Sequence, residues 1–331
     1  MTHYETHTIV GSSETIRKTP FSPSLYTRPF DWTGITLHRP DHRPHYSPEF
    51  LEWFVGFSEG DGSFLMSGKR LFFTITQKDP ACLYRLRTEL GFGLVCHDTH
   101  NPEIKRFTVT DRKWIKVLIH LFNGNLLLKK TNRRFARWVT QYNHLTGEAI
   151  PVILRDDSAQ KTNHDHSLGV SVENSLIWKT SWLVGFLEAE GCFFGYVRKP
   201  RNTMTLRFCL DQTDELELFE HLRHVFDGLG SLWIRKQGPQ GSHWRYQLES
   251  RAGIDRLLTY LSGKKLRTRK NLAFVRWKKL HNLLEIVRSE KREGIFVYSE
   301  KRDLKMRRLL QEVNRHRKEF QKEKVEERVQ V

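Results

Sequence analysis

The sequence has few of the features that mark secreted, membrane or zinc-binding proteins. Its 331 residues include only four cysteines, which lie far apart and form no C-x-x-C pair: Cys82, Cys96, Cys192 and Cys209. This spacing argues against a disulfide framework or a zinc site and is typical of a reducing compartment. No apolar run approaches the roughly 18 residues of a membrane span. The N-terminal residues lack the apolar core of a secretory signal, so we expect no membrane partner.

Acidic residues are scarce relative to basic ones. The chain has 55 Lys and Arg against 38 Asp and Glu, which gives a formal net charge of +17 and a pI of about 9.8. Such an excess of positive charge predicts a polyanionic partner, with nucleic acid as the leading candidate. Solubility alone or an anionic membrane surface would be the alternatives. Hydrophobic residues make up 38% of the chain, which is enough to build cores for two domains.

One phrase of the sequence occurs twice. The segments WFVGFSEGDGSF (53–64) and WLVGFLEAEGCF (182–193) share seven of twelve letters. Further along, LFFTITQKDP (71–80) matches LRFCLDQTDE (206–215) at a slightly larger offset. A tandem structural repeat is the simplest explanation. Hydrophobic periods and turn residues predict the order α-β-β-α-β-β-α in each half, which makes the fold class α+β.

Composition divides the chain into five parts. Residues 1–47 are rich in Thr, Ser, Pro and His without any period, which predicts a loosely ordered extension. The two repeats cover 48–145 and 177–288, and the polar segment 146–176 is interpreted as a linker. Residues 289–331 are predicted to form a charged helix that docks on the protein or lies at its surface. Its sparse apolar stripe consists of Leu304, Leu309, Leu310, Val313 and Phe320.

The repeated phrase contains small residues at helical spacing. Gly56 and Gly60 are four positions apart and therefore lie on one face of a helix, and the second copy has Gly185 and Ala189 on the same face. Small residues let two helix backbones approach closely. We therefore predict that the two phrases form a pair of helices packed side by side around a pseudo-twofold axis.

Each predicted helix, 48–60 and 178–189, is followed directly by an acidic residue, Asp61 or Glu190. A carboxylate at a helix C-terminus opposes the macrodipole, at a cost of about 0.3–1 kcal/mol. Two such carboxylates placed together also repel each other. A divalent cation with oxygen ligands, Mg²⁺ above all, would offset both costs.

These residues carry a family resemblance. FVGFSEGDG and LVGFLEAEG resemble the two nine-letter signatures of single-chain, two-motif LAGLIDADG homing endonucleases, and the resemblance extends over about 48–288. In that family the eighth letter of each signature, here Asp61 or Glu190, binds the catalytic metal ions. The helical spacing alone would also allow Glu59 and Glu188. The resemblance implies Mg²⁺ as the cofactor, with Mn²⁺ as a substitute.

The resemblance also implies an architecture and a reaction. Each half would form a four-stranded antiparallel sheet, and the two sheets would make a saddle over DNA. The activity would be hydrolysis of one phosphodiester in each strand of a long, asymmetric double-stranded target, across the minor groove. Family members of this form act as monomers and are encoded in organellar introns, so a mitochondrion or chloroplast is the expected location.

Other polar residues follow from the same resemblance. Gln77 and Gln212 would lie near the scissile phosphates. A basic residue before the last helix of each half would lie near the metal ions, Lys129 or Lys130 in the first half and Arg267 or Arg269 in the second. Contact with the phosphate backbone is the alternative role for these bases. Alternate strand residues would read base edges in the major groove, and the candidates are Arg70, Lys105, Arg106, Arg207, Arg235, Lys236, Arg245 and Gln247.

Two other functions remain open at this point. The first is an RNA maturase of the same fold that helps its host intron to splice, with or without residual DNA cleavage; its partner would be the intron RNA. The second is a transcription regulator, which would usually have lost the two acids and gained a helix-turn-helix. Asp61 and Glu190 are both acidic, which favours retained cleavage.

Overall fold

The chain folds as two similar halves, each built on an antiparallel sheet. The computed structural model describes residues 23–98, 101–155, 172–199, 202–238, 241–294 and 299–329, and their side chains except at 23–24, 236–238 and 316–329. In both halves a helix leads directly into the first strand. The predicted α+β class with two pseudo-symmetric repeats is confirmed.

The first half follows the predicted order and adds a short helix before it. A four-stranded sheet with the order β1-β2-β4-β3 forms its centre. Asp79 and Asp111 start two of the helices by accepting hydrogen bonds from the backbone N–H groups of Ala81 and Lys113. The elements are α1 (Thr33–Leu37), α2 (Pro48–Asp61), β1 (Gly62–Ser67), β2 (Arg70–Gln77), α3 (Pro80–Leu90), β3 (Leu94–His97), β4 (Lys105–Val109), α4 (Arg112–Phe122) and α5 (Lys129–Thr146).

The second half repeats this arrangement with longer strands. Its sheet has the order β5-β6-β8-β7, and a short separate helix precedes the one that carries the repeated phrase. The elements are α6 (Leu176–Lys179), α7 (Trp182–Glu190), β5 (Gly191–Arg198), β6 (Thr203–Thr213), α8 (Leu216–Val225), β7 (Ser231–Gly238), β8 (Gly241–Leu248), α9 (Arg251–Leu261), α10 (Lys270–Arg292) and, after both sheets, α11 (Glu300–Val329).

The two faces of each sheet differ. Helices cover one face, where Phe73 and Phe107 of the first sheet and Phe208 and Tyr246 of the second are buried. Residues at alternate strand positions point to the other, open face. The two cores have matching hydrogen bonds between a helix and the first strand. Trp138 and Trp277 donate their indole N–H groups to carbonyls of β1 and β5 at 3.2 Å and 3.1 Å. The structure therefore presents two open sheet faces, one from each repeat.

The segment 23–47 is a correction to the sequence prediction of a loosely ordered extension. Leu25, Tyr26 and Ile35 are buried. Arg155, itself buried, donates hydrogen bonds to the backbone carbonyls of Leu25, Arg28, Pro29 and Gly124, which ties the segment to the first repeat. These contacts join residues that are far apart in the sequence, so no local hydrophobic period predicts them. Residues 1–22 lie outside the described part of the chain.

The predicted charged C-terminal helix is α11, and it covers an edge of the second sheet. Leu309, Leu310 and Val313 are buried, as the apolar stripe predicts, whereas Leu304 is 60% exposed. The amide of Asn314 donates to the carbonyl of Gly195 and accepts from its N–H at 2.8 Å and 3.2 Å. These bonds satisfy backbone groups on the outer side of β5. The side chain of Phe320 lies outside the described residues.

Among the helices that the structure describes, none combines the length and apolar character needed to cross a membrane.

Candidate catalytic centre and nucleic-acid interface

The two copies of the repeated phrase lie against each other in α2 and α7. A Cβ atom added at Gly56 would lie 2.0 Å from the carbonyl oxygen of Trp182, and one added at Gly185 would lie 1.9 Å from that of Trp53. Both distances are far below van der Waals contact, so only glycine fits at either position. The close helix pair predicted from the spacing of small residues is therefore present.

The two acids that end these helices are brought together. Asp61 is the last residue of α2 and Glu190 is the last residue of α7. A Cβ atom added at Gly60 would lie 3.1 Å from Cγ of Glu190 and 2.3 Å from Cβ of Ala189. Because Gly60 is adjacent to Asp61, the end of one helix directly contacts the end of the other.

The two predicted glutamines occupy matching strand positions with different contacts. Gly62 pairs with Ile75 in the first sheet and Gly191 pairs with Leu210 in the second, so Gln77 and Gln212 stand at the same place in the two repeats. Nε2 of Gln77 donates to Oδ2 of Asp61 at 2.8 Å. Oε1 of Gln212 accepts from the N–H of Thr213 at 3.1 Å. Gln77 therefore contacts an acid of the motif in the first half, and the predicted position of both glutamines near the scissile phosphates stays a prediction.

Glu59 has a structural role that sequence reasoning left open. Its Oε1 accepts from the backbone N–H groups of Leu127 and Leu128 at 2.8 Å and 2.6 Å, and its Oε2 accepts from the indole N–H of Trp182 at 2.6 Å. The side chain is 2% exposed. Burial raises the pKa of Glu59 to about 8, against the opposing effect of these hydrogen bonds. Glu59 therefore joins α2 to α7 and to the start of α5.

Glu188 makes the matching contacts in the second half. Its carboxylate accepts from the indole N–H of Trp53 at 2.7 Å and from the backbone N–H groups of Arg267 and Thr268 at distances of 2.6–2.9 Å. The hydroxyl of Thr268 donates to it as well. With their oxygens used in this way, Glu59 and Glu188 serve as crosslinks between the repeats. Asp61 and Glu190 remain the candidates for an ion.

Lys129 carries an ion pair with the other repeat. Nζ of Lys129 lies 2.6 Å from Oε2 of Glu217 in α8, and this hydrogen bond raises the pKa of the lysine. The backbone N–H of Lys130 donates to the buried Glu215 at 3.2 Å. The start of α5, where the basic residue of the first half was predicted, is therefore held by acids of the second half.

In the second half the predicted Arg267 packs against aromatic rings, and Lys270, which sequence reasoning missed, lies beside the motif helix. Arg267 lies over the rings of Phe50 and Trp53, 5.6 Å from each centroid, and its side chain is only 9% exposed. Nζ of Lys270 lies 3.4 Å and 3.3 Å from the carbonyl oxygens of Leu187 and Ala189, at the end of α7 that carries Glu190. Lys270 is the last residue of KKLRTRK (264–270), the basic stretch in which only Arg267 and Arg269 were predicted.

The predicted strand contacts of the first sheet divide between its two faces. Arg106 stands opposite Thr76 and forms an ion pair with Asp98. Lys105 is its neighbour in β4 and therefore points to the opposite face. Nζ of Lys105 lies 2.5 Å from Nε2 of His97. Arg70 is exposed at the start of β2. By strand alternation Arg70 and Arg106 point to the open face, whereas Lys105 points to the opposite face.

In the second sheet, acids that sequence reasoning missed hold the predicted arginines. Nε and Nη2 of Arg245 donate to the two carboxylate oxygens of Asp211, both at 2.7 Å, and Nη1 of Arg235 lies 3.6 Å from Oδ2 of the same acid. Nε of Arg207 donates to Glu249 at 2.8 Å. Burial would raise the pKa of Asp211, but the hydrogen bonds and charge of Arg245 outweigh it and leave that pKa lowered.

Gln247 and Lys236 are the remaining predicted contacts of the second sheet. Gln247 stands between Cys209 of β6 and Ser231 of β7, at an alternate position from the buried Tyr246 and Leu248. It therefore points to the open face, as predicted. The backbone of Lys236 follows an irregularity in the pairing of β7 with β8, and its side chain lies outside the described residues.

Comparisons with known proteins agree with this geometry. A probable intron-encoded endonuclease 4 of Neurospora crassa is 29% identical over 243 residues, which are 71% of this chain and 40% of that protein. The chain spans less than half the length of the curated relatives that it matches. The LAGLIDADG meganuclease I-AabMI, solved bound to uncleaved DNA, has a TM-score of 0.58 at 21% identity and covers 79% of this chain and 98% of its own.

A second solved structure shares the fold. I-SmaMI, bound to an uncleaved DNA target in the presence of calcium ions, has a TM-score of 0.53 at 16% identity and covers 80% of this chain and 98% of its own. Residues 54–142 and 183–281 both match the family model described as LAGLIDADG endonuclease, and together they make up more than half of the 331 residues. The chain, with two copies of the motif on a pair of closely packed helices, belongs to the LAGLIDADG endonuclease family.

Proposed function

We propose that this protein is a site-specific DNA endonuclease that hydrolyses one phosphodiester in each strand of a long, asymmetric duplex target, across the minor groove. The observation that carries the proposal is the contact between the helix ends that bear Asp61 and Glu190. Those ends lead directly into two sheets with open faces. The proteins that this chain resembles support the same activity: the Neurospora crassa relative is a probable endonuclease, and the structures of I-AabMI and I-SmaMI were solved bound to DNA.

The carboxylates of Asp61 and Glu190 fit a hard divalent ion that is bound jointly by the protein and the substrate. Among the residues that the structure describes, no cluster of three or more His, Cys, Asp or Glu side chains is placed to hold a metal ion. Mg²⁺ commonly binds through one or two carboxylates, with water and substrate phosphates as the other ligands. Asp61 and Glu190 supply that number. When bound, such an ion stabilises the negative charge that develops on a reacting phosphate.

The chain's own side chains have separate roles around this centre. Asp61 and Glu190 would hold the ions, and Gln77 orients the Asp61 carboxylate through its hydrogen bond. Lys270 places a positive charge at the end of α7, where it would offset charge on the phosphorane. The arginines on the open sheet faces would bind the duplex. This division predicts that binding and cleavage can be separated by mutation.

The single chain contains both halves of the centre, so we propose that it acts as a monomer. Its intron-encoded relatives support an organellar location, in a mitochondrion or chloroplast. The RNA maturase alternative is not favoured, because both motif acids are retained and lie at adjoining helix ends.

The test starts with a target selected from a randomised plasmid library by binding in Ca²⁺. With Mg²⁺ or Mn²⁺ the wild-type protein should cut this target in both strands. Asp61→Asn and Glu190→Gln should each reduce cleavage on the order of 100-fold or more, in line with the loss of other charge-stabilising groups. Both variants should keep DNA affinity, and their stability should hold or rise slightly because repulsion between the helix ends is relieved.

Glu300→Gln is the matched control, since it removes one exposed carboxylate at the start of α11. It should change neither cleavage nor binding. Uncut target in Mg²⁺, with tight binding confirmed, would contradict the proposed activity and favour a binding role.

A further inference from the structure

Two arginines occupy matching positions on the open faces of the two sheets. In the first sheet Arg106 of β4 pairs with Thr76, the residue after Ile75; in the second sheet Arg245 of β8 pairs with Asp211, the residue after Leu210. Ile75 and Leu210 are themselves equivalent, because they pair with the glycines that follow Asp61 and Glu190. The two arginines are therefore related by the same pseudo-symmetry as the two motif acids.

A buried or half-buried aspartate holds each of these arginines. Asp98 forms the ion pair with Arg106, and its own side chain is 4% exposed. Asp98 is fixed in turn, because its N–H donates to the carbonyl of Ile104 at 2.9 Å. Asp211 binds Arg245 with two hydrogen bonds of 2.7 Å, and the arginine side chain is 14% exposed. Asp98, which follows β3, and Asp211 of β6 therefore set the direction of the two guanidinium groups.

The hydrogen-bond geometry of Arg245 leaves one edge of its guanidinium for a ligand. The carboxylate of Asp211 occupies the edge formed by Nε and Nη2. The edge formed by Nη1 and Nη2 keeps two parallel N–H donors. Two parallel donors match O6 and N7 of guanine in the major groove, which is the commonest specific contact between arginine and a base.

The position of the two arginines within the sheets favours a base over a phosphate. Both β4 and β8 are interior strands of their sheets. The major groove is about 12 Å wide and admits a two-stranded ribbon. Strands lie about 4.8 Å apart, so the two interior strands of a four-stranded sheet would lie over the base edges and the edge strands nearer the backbones. A guanidinium held against the sheet also loses little conformational freedom on binding, which sharpens discrimination between bases.

We infer that Arg106 and Arg245 each read one guanine, at positions related by the pseudo-twofold axis in the two half-sites, and that Asp98 and Asp211 orient them. This inference rests on the proposed function, since it needs a duplex DNA target. It adds the identity of two base pairs and assigns two acids of the binding surface as positioning residues.

The experiment selects bound duplexes from a randomised library in Ca²⁺, so that binding is scored without cleavage. Wild-type protein should select guanine at one position of each half-site, at equal distances from the centre, over other bases by about 5- to 150-fold. Arg245→Ala and Arg245→Lys should lose this preference in one half-site only. Arg106→Ala should lose it in the other, and Asp211→Asn should weaken the preference that depends on Arg245.

Arg137→Ala is the control, because Arg137 is an exposed arginine on α5, a helix of the covered face. It should leave every base preference unchanged. Arg245→Lys keeps the positive charge but not the paired donors, so it separates base reading from charge. A melting curve for each variant confirms that it is folded.

Two results would overturn the inference. The first is an Arg245→Ala variant that binds all sequences more weakly by one common factor, which is the behaviour of a phosphate contact. The second is the absence of guanine from the two symmetric positions in a target that the wild-type protein both selects and cuts. A wild-type protein that selects and cuts no DNA would instead overturn the proposed function, and this inference with it.

Discussion

At the scale of the residue, two acids in one motif differ in role because their surroundings differ. Glu59 and Asp61 are two positions apart in α2. Glu59 is buried and surrounded by N–H donors from three other residues. Asp61 ends the helix, is only half-buried, and accepts from Gln77. A buried carboxylate saturated with donors stabilises the fold, whereas one at an accessible helix end can hold an ion.

Glu59 makes the stability of the protein depend on pH near neutrality. Burial raises the pKa of Glu59 to about 8 and that of Glu215 to about 7. Because these values lie above those of the unfolded chain, the folded state binds more protons. The resulting stability is present at low pH and is lost as the pH rises through 7–8. We expect the free energy of unfolding to fall by about 3 kcal/mol between pH 6.5 and 8.5, with about 2 kcal/mol of this from Glu59.

Chemical denaturation at several pH values would measure this slope. Glu59→Gln cannot ionise, so its free energy of unfolding should change less over the same range, even if it is lower throughout. Glu300→Gln, which removes an exposed acid, should keep the wild-type slope. An unchanged slope in Glu59→Gln would show that Glu59 does not titrate in this range.

At the scale of the element, the contact between α2 and α7 depends on two glycines. A side chain at Gly56 or Gly185 would meet the backbone of the opposing helix at 2.0 Å or 1.9 Å. A backbone cannot move aside as a flexible side chain can. Gly56→Leu and Gly185→Leu should therefore lower the free energy of unfolding by about 3 kcal/mol or more, at the upper end of overpacking effects. Ala252→Leu adds a similar side chain at an exposed position of α9 and should be nearly neutral in thermal melts. A Gly56→Leu protein with wild-type Tm would contradict the close helix contact.

Local patterns predicted the elements more completely than the contacts between them. The repeated letters, the hydrophobic periods and the turn residues were enough to place most helices and strands. The helix of the second motif was predicted to begin at residue 178 but begins at Trp182. The preceding residues form the separate helix α6, which ends before Thr180. The pairing of Arg245 with Asp211 depends on the register between β6 and β8. Sequence alone did not supply that register, so the acids on the open face were missed.

At the scale of the whole molecule, the two repeats are joined by many polar contacts. Glu59 accepts from Trp182, and Glu188 accepts from Trp53, so each helix of the pair is bonded to the other. Tyr26 of the N-terminal segment stacks on His221 of α8, with 4.0 Å between ring centroids. Neither repeat can unfold alone without exposing these partners, and a buried group left without its partner costs about 1–3 kcal/mol.

We therefore expect the repeats to unfold together. Leu257→Ala removes a fully buried side chain of α9 in the second repeat, at a cost of about 2–5 kcal/mol. If unfolding is cooperative, hydrogen exchange of the slowest amides in β2 and β4 should accelerate by the same factor as in β6 and β8. Leu118→Ala in α4 is the matched change in the first repeat, and it should accelerate both sheets in the same way. Faster exchange confined to the mutated repeat would mean that the halves fold independently and that the crosslinks through Glu59 and Glu188 are weak.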